Sequence, residues 1–438
     1  MAVHTDPSPR SSAEFAASLI RTGFFDTYFV YEHGTVWTVA WGVRVEIVVN
    51  ATRVRVRRDS VEESWPTVGG PLRAAHEALE RLALSDWTAC GWIAFEAVHV
   101  LNGRPDLAGD SDVVHLVVPE VEVRIERGRA SVVRGGDPRL HALLEHLRTA
   151  PPANMPASRR ADVPVDVNAD SGRYREAALE ALEEIRSTEL RKVTLSRSVP
   201  VGEPVDFVET YLAGRAATAP ARSFLLSIGG LTATGFCPET LLEARPDGKV
   251  STQPLTRTRA LVGNELETER SRAEMSADAE AVYAHAIAVS SAFDEFNEVC
   301  EPGSVVVDEL VAFRTRGSVQ HLASRLCGRL AGGKTSWDAL EALFPAVATS
   351  GAPKRAGCEF ISRSEATPRG IYSGAVLLAL DDGFLDAGLV SRAVYETRGR
   401  RWLRAGAGIV ASSSPERKFE ETREKLRDIS SYLVTGPT

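Results

Sequence analysis

Short runs of alternating apolar and polar residues fill the first third of the chain, clearest over Thr35–Val49 and Val113–Ile125, with a helical period between them at Pro71–Ala83. The pattern predicts a sheet with a covering helix. Arg53, Arg55, Arg57 and Arg58 alternate with Val54 and Val56, which places the arginines on the wet face of a strand. The periodicity fails across 150–164, APPANMPASRRADVP, whose composition predicts an exposed linker or long loop. It separates an N-terminal sheet-rich part, 1–150, from a second part, 165–438, and the two are expected to form one compact unit.

Beyond the linker, Ala178, Leu179, Leu182 and Ile185 mark a helix over Tyr174–Leu190 that leads into a strand at Lys192–Arg197, and a further helix is expected over Ala277–Asn297. From Tyr372 to Val410 the pattern is a meander: Ala375–Leu380, a turn at Asp381–Gly383, Phe384–Glu396, a turn at Gly399, and Trp402–Val410. Tight turns between consecutive strands imply antiparallel pairing. A last helix starts at Ser414-Pro415-Glu416, with Ser as N-cap and Pro in the first turn, and ends near Tyr432. Strand groups broken by isolated helices, without βαβ alternation, predict an α+β fold. Gly406-Ala-Gly408 therefore lies in a strand rather than a phosphate-binding turn, and signals close backbone approach to a ligand or a bulge.

Composition narrows the function classes. With 438 residues, 44% of them hydrophobic, the chain can bury a large core. A net charge of −8 without a long Lys/Arg run disfavours nucleic acid. No leader-like segment and no run of about 18 apolar residues is present, so a cytoplasmic protein without membrane contact is expected. Cys90, Cys237, Cys300, Cys327 and Cys358 are scattered without zinc-type spacing and are expected as reduced thiols.

The blocks KVTLSR (192–197), GFCPE (235–239), QPLTRTRA (253–260), GSVQHL (317–322), LFPAVATSGAPK (343–354), PRGIYSGAV (368–376), and RAGAGIV with PERKFEETREKL (404–426) occur in a fixed order, with a weaker echo in GWIAFEA (91–97). In them the chain resembles the chorismate-utilising enzymes, namely isochorismate synthases, anthranilate synthase large components and, nearest, salicylate synthases of the mycobactin and yersiniabactin type. The resemblance implies large, mainly antiparallel sheets packed as a sandwich with helices outside. It also implies a monomer and a small dianionic substrate, chorismate or isochorismate. Isochorismate formation adds water at C2 while the C4 hydroxyl leaves, which needs a base on one face of the ring and an acid on the other. By resemblance the base is Lys192 and the acid Glu239, with His321 near the departing side chain. Thr258, Tyr372, Arg392, the backbone at Gly406 and Gly408, and Lys425 match positions that grip the carboxylates and the enolpyruvyl group. Cations suit a dianion that enters a dry pocket.

The resemblance breaks at the metal. Relatives hold Mg²⁺ with glutamates on two helices, where this chain has Ala281, Ala284 and Lys418, so that Glu421 alone remains. One carboxylate holds Mg²⁺ poorly, and no cofactor is expected. Arg257 stands where relatives carry a small residue, which with the lost acids makes the site about five charge units more positive. Arg257 or Lys418 is thus expected to replace the metal as counter-charge to a substrate carboxylate, the alternatives being a Lys418–Glu421 pair in solvent and residual metal binding through Asp278. Three functions stay open. These are metal-independent conversion of chorismate through isochorismate to salicylate and pyruvate, a purely pericyclic lyase or mutase or an enzyme for a modified enolpyruvyl substrate, and a non-catalytic binder.

Overall fold

The computed structural model describes residues 11–136, 138–149, 163–260, 265–316 and 319–437, with the side chains of 139, 148–149, 256–260, 265–266, 316 and 319 outside the described set. Among the described residues the strands form a ten-stranded and a twelve-stranded sheet whose neighbouring strands pair antiparallel. Most of the expected linker, 150–162, lies outside the described residues, and each sheet draws strands from both sides of it in sequence. Tyr28–His33 pairs with Arg222–Ile228 in one, and Thr88–Ile93 with Ala375–Leu380 in the other.

Three apolar clusters define the layers. Phe29, Tyr31, Phe224 and Tyr395 of the ten-stranded sheet meet Cys90, Trp92, Val376 and Leu378 of the twelve-stranded sheet, so the two sheets pack face to face. Helices cover the outer faces. The helix Pro71–Arg81 buries Leu72, Ala75 and Leu79 with Val45 and Ile47, while Leu426 and Ile429 of the last helix pack with Leu403 and Ala405. Each such aliphatic side chain contributes about 1.5–3 kcal/mol. The last helix, Pro415–Ser430, starts as predicted: the Ser414 hydroxyl accepts the Arg417 N–H, and Pro415 and Glu416 occupy the first turn. The arginine strand also holds, with Val54 and Val56 buried and Arg53, Arg57 and Arg58 exposed.

Three predicted runs prove to be two strands each. Thr35–Val49 divides into Val36–Trp41 in the ten-stranded sheet and Val45–Val49 in the twelve-stranded sheet, and Val113–Ile125 divides into Val114–Val118 and Val121–Glu126 in the reverse sense. Phe384–Glu396 likewise passes from Leu385–Leu389 to Ala393–Thr397. Leu231–Cys237 and Thr240–Ala244 make a fourth such passage. The passages are paired side by side. Glu120 N–H donates to the Trp41 carbonyl (3.1 Å) and Arg44 N–H to that of Val118 (2.9 Å); Leu389 N–H donates to the Glu239 carbonyl (3.2 Å) and Phe236 N–H to that of Arg392 (2.8 Å).

The helix expected over Ala277–Asn297 starts later than predicted. Asp278 ends one helix, Glu265–Ala277, and caps the next, Ala279–Asn297, its carboxylate accepting the Ala281 N–H at 3.0 Å. That is the ordinary work of an N-cap acid.

Candidate active site

Lys192 opens the strand Lys192–Pro200, which pairs with Arg400–Val410 so that Thr194 lies opposite Gly408 and Ser196 opposite Gly406. Both glycines serve close approach. A Cβ on Gly406 would stand 2.7 Å from the Leu195 carbonyl oxygen and 2.8 Å from the Tyr372 hydroxyl, and one on Gly408 would stand 3.3 Å from Lys192 Cε. The Gly-Ala-Gly sequence thus admits Tyr372 and Lys192 beside the strand.

The Lys192 side chain is buried, and its Nζ donates to the carbonyls of Val347 (2.8 Å) and Ala348 (3.3 Å). Burial lowers its pKa to about 8; Glu239 opposes the shift, while Lys418 and Lys425 add to it. Glu239 lies in the passage between Leu231–Cys237 and Thr240–Ala244, where the chain crosses from one sheet to the other. Burial raises its pKa to about 8, against the Leu255 N–H donated to its carboxylate and the charge of Lys192. The proton affinities of this acid and this amine are therefore close. His285, on the helix Ala279–Asn297, bonds through Nε2 to the Ser324 hydroxyl at 2.7 Å, and burial together with the Lys192 charge lowers its pKa to about 4, so its ring is neutral near pH 7.

Arg392 lies in the passage beside that of Glu239, partly exposed, with its Nε 3.5 Å from Asp428. Tyr372 is buried, and burial pushes its phenol up to about 12, so it stays protonated. His321 is buried in the strand Val319–Arg329, opposite Thr258 in register. A register slip between Thr256 and Thr258 marks Arg257 as the irregular position of that strand, and the side chains of Arg257 and Thr258 lie outside the described residues.

At the expected metal position Lys418 does pair with Glu421, as one of the sequence alternatives held, but away from solvent and with a second acid. The side chain is buried, not solvated, and Nζ stands 2.6 Å from Glu280 and 3.4 Å from Glu421. Ser413 donates to the same Glu280 oxygen at 2.6 Å, and Lys425 bridges Glu421 (2.9 Å) to the Gly406 carbonyl (2.7 Å). Carboxylates and ammonium groups thus alternate from Glu280 to Lys425. Burial pushes the Glu421 pKa up, but Lys425 and Lys418 outweigh it and hold the carboxyl down at about 2. Glu280 supplies a negative charge that the five-unit count omitted, and Lys418 is committed to carboxylates of the protein itself. Asp278 is the cap described above.

Sequence reasoning also missed the support beneath the site. Glu365 is buried and accepts from Ser196 N–H (2.7 Å), Arg369 Nη2 (2.5 Å) and Arg404 Nη2 (2.6 Å). Arg369 also reaches the carbonyls of Thr349 and Thr194, both at 2.7 Å. Glu96, in the GWIAFEA echo, accepts the N–H groups of Arg369 (2.6 Å) and Gly370 (3.1 Å). These bonds fix the 344–350 loop and the Tyr372 segment against the Lys192 strand. Arg369 and Arg404 both stand in the recognised blocks, and that placement was the available signal. All five cysteines are free thiols.

Comparison with known proteins agrees with this geometry. A family model described as chorismate binding enzyme matches residues 26–431. The chain is 41% identical over 434 residues to a salicylate synthase of Mycolicibacterium paratuberculosis, covering 99% of this chain and 95% of that protein. It is 35% identical over 299 residues to an anthranilate synthase component 1 of Haloarcula marismortui, covering 67% of this chain and 54% of that protein. Two solved structures share the fold at lower identity. Anthranilate synthase component I of Streptococcus pneumoniae superposes with a TM-score of 0.76 at 20% identity, covering 91% of this chain and 92% of that one. The menaquinone-specific isochorismate synthase MenF of Escherichia coli superposes with a TM-score of 0.72 at 19% identity, covering 97% of this chain and 92% of that one. The chain belongs to the chorismate binding enzyme family and is a chorismate-utilising enzyme.

Proposed function

We propose that this enzyme converts chorismate through isochorismate to salicylate and pyruvate without a divalent cation. The observation that carries the proposal is the buried pair of Lys192 and Glu239, whose pKa values both lie near 8. Lys192 in its neutral form has two N–H groups for the carbonyls of Val347 and Ala348, which leaves its lone pair to take a proton from the attacking water. Glu239 in its acid form gives a proton to the departing C4 hydroxyl. Near-equal proton affinities make the reactive combination, neutral amine with neutral acid, inexpensive to reach. The likeness to a salicylate synthase along nearly the whole chain supports the subsequent loss of pyruvate.

The proposed independence from metal rests on the donor set. Magnesium asks for six oxygens in near-octahedral array. Ala281 and Ala284 offer none, and the ammonium of Lys418 lies against Glu280 and close to Glu421, so an entering cation would meet a positive charge first. These residues do not fit magnesium. Lys418 instead balances the two acids, while Arg392, beside Asp428, and Lys425, which bridges Glu421 and the Gly406 carbonyl, are the cations proposed to meet the substrate's carboxylates.

Incubation of purified protein with chorismate and, separately, with isochorismate tests the reading through product masses. Salicylate and pyruvate from chorismate are expected. Turnover of isochorismate alone would restrict the enzyme to the pericyclic step, and the proposal would fail.

A further inference from the structure

Against Glu239 lies a cavity of about 20 Å³ lined by Glu239, Glu295, Thr252, Ala288 and Ala292, with Val347 and Ala348, whose carbonyls take the Lys192 side chain, on its wall. Ala288, Ala292 and Glu295 follow one another at helical spacing on Ala279–Asn297, so the two small residues leave the space that the carboxylate closes. A volume of this size holds about one water, and the carboxyl groups of Glu239 and Glu295 with the Thr252 hydroxyl give it polar partners. Glu295 is largely buried and pairs with Lys354 Nζ at 2.9 Å; Lys354 also donates to the Ala342 (3.1 Å) and Phe344 (3.4 Å) carbonyls.

The chemistry proposed above creates a need for this arrangement. Each turnover leaves Glu239 one proton short, while the proton gained by Lys192 stands on the substrate side. A proton delivered to Glu239 from this cavity restores the acid without passing through the substrate. We infer that Glu295 returns the proton to Glu239 through a single water in this cavity, acting through Glu239 and never touching substrate. In the step Glu295 gives its carboxyl proton to the water, the water gives one of its own to Glu239, and Glu295 recovers a proton from solvent at the Lys354 side. Burial raises the Glu295 pKa to about 7 against the pull of Lys354, with Glu298 and Asp294 adding to the rise, so donor and acceptor are closely matched. Lys192 is the charge that faces Glu239.

The inference rests on Glu239 as the acid, and the test separates the two. In rapid-quench experiments with chorismate, Glu295→Gln is expected to complete its first turnover at the wild-type rate. Its steady-state kcat should then fall by about tenfold or more, with KM falling alongside so that kcat/KM holds, and with a larger solvent deuterium isotope effect. Ala292→Leu, which fills the cavity and leaves both carboxylates, should show the same burst and guards against a folding defect in the first variant. First-turnover and steady-state rates that fall together, or that both stay at wild type, would overturn the relay. An active Glu239→Gln would instead overturn the acid assignment itself.

Discussion

The two pairs of strand passages between the sheets share a backbone design and differ in what stands at the bend. In the N-terminal pair, 41–45 beside 118–121, the chain turns at Gly42, whose φ of +69° suits glycine, with Arg44 partly exposed and Glu120 exposed. In the other pair, 237–240 beside 389–393, Glu239 is buried and Arg392 lies close by. Each pair thus offers one acid and one arginine. At Glu239 the 346–348 segment and Ala288 and Ala292 of the neighbouring helix exclude water, and burial there raises the acid's proton affinity. Crossing between sheets supplies the position, and cover supplies the chemistry.

The largest expected contrast is between Glu239→Gln and Glu120→Gln. The first should lower chorismate turnover by about 10²–10⁴-fold, the usual weight of a general acid, and the second should leave kcat unchanged. The pH dependence sharpens the contrast. The neutral fraction of Lys192 rises as pH rises through about 8, and the protonated fraction of Glu239 falls over the same interval. Activity should therefore form a narrow bell near pH 8, kept by Glu120→Gln. A flat profile between pH 6 and pH 10 would remove the acid–base pair from the mechanism.

A smaller effect is expected from the paired arginines. Arg392→Ala should raise KM for chorismate by about 10–100-fold, corresponding to loss of a charge-assisted bond of about 1.5–3 kcal/mol. Arg44→Ala should leave KM at the wild-type value. Equal losses for the two variants would dissolve the distinction between the passages.

Lys418→Met should lower stability by about 1–2 kcal/mol in urea titration. This lies below the loss for a fully buried pair, because Glu280 and Glu421 keep 28% and 31% of their side-chain exposure. Restoring carboxylates with Ala281→Glu, Ala284→Glu and Lys418→Glu together should create calorimetric Mg²⁺ binding, with none expected from the native chain.

Much of this was legible in the sequence because the relevant signals are local and periodic. The α+β class, the last helix with its Ser414 cap, and the strand carrying Lys192 follow from spacing and end residues. The passages were hidden because apolar patterning continues through Trp41–Val45 and Leu389–Ala393. Several residues there face buried surroundings on either sheet, so no run of polar residues announces the change. Glu280 was hidden for another reason. An acid in the first turn of a helix is ordinary, and nothing in its neighbours tells that Ser413 and Lys418 arrive from another helix and its approach. Glu295 and Lys354 are 59 residues apart and become a pair only through packing.

Turnover of chorismate by chelator-treated protein, followed as Mg²⁺ is returned, bears most directly on the exchange of a metal for Lys418. Salicylate formation in the chelator at a rate that Mg²⁺ does not raise is the expected result. An enzyme silent in the chelator and restored by Mg²⁺ would contradict it.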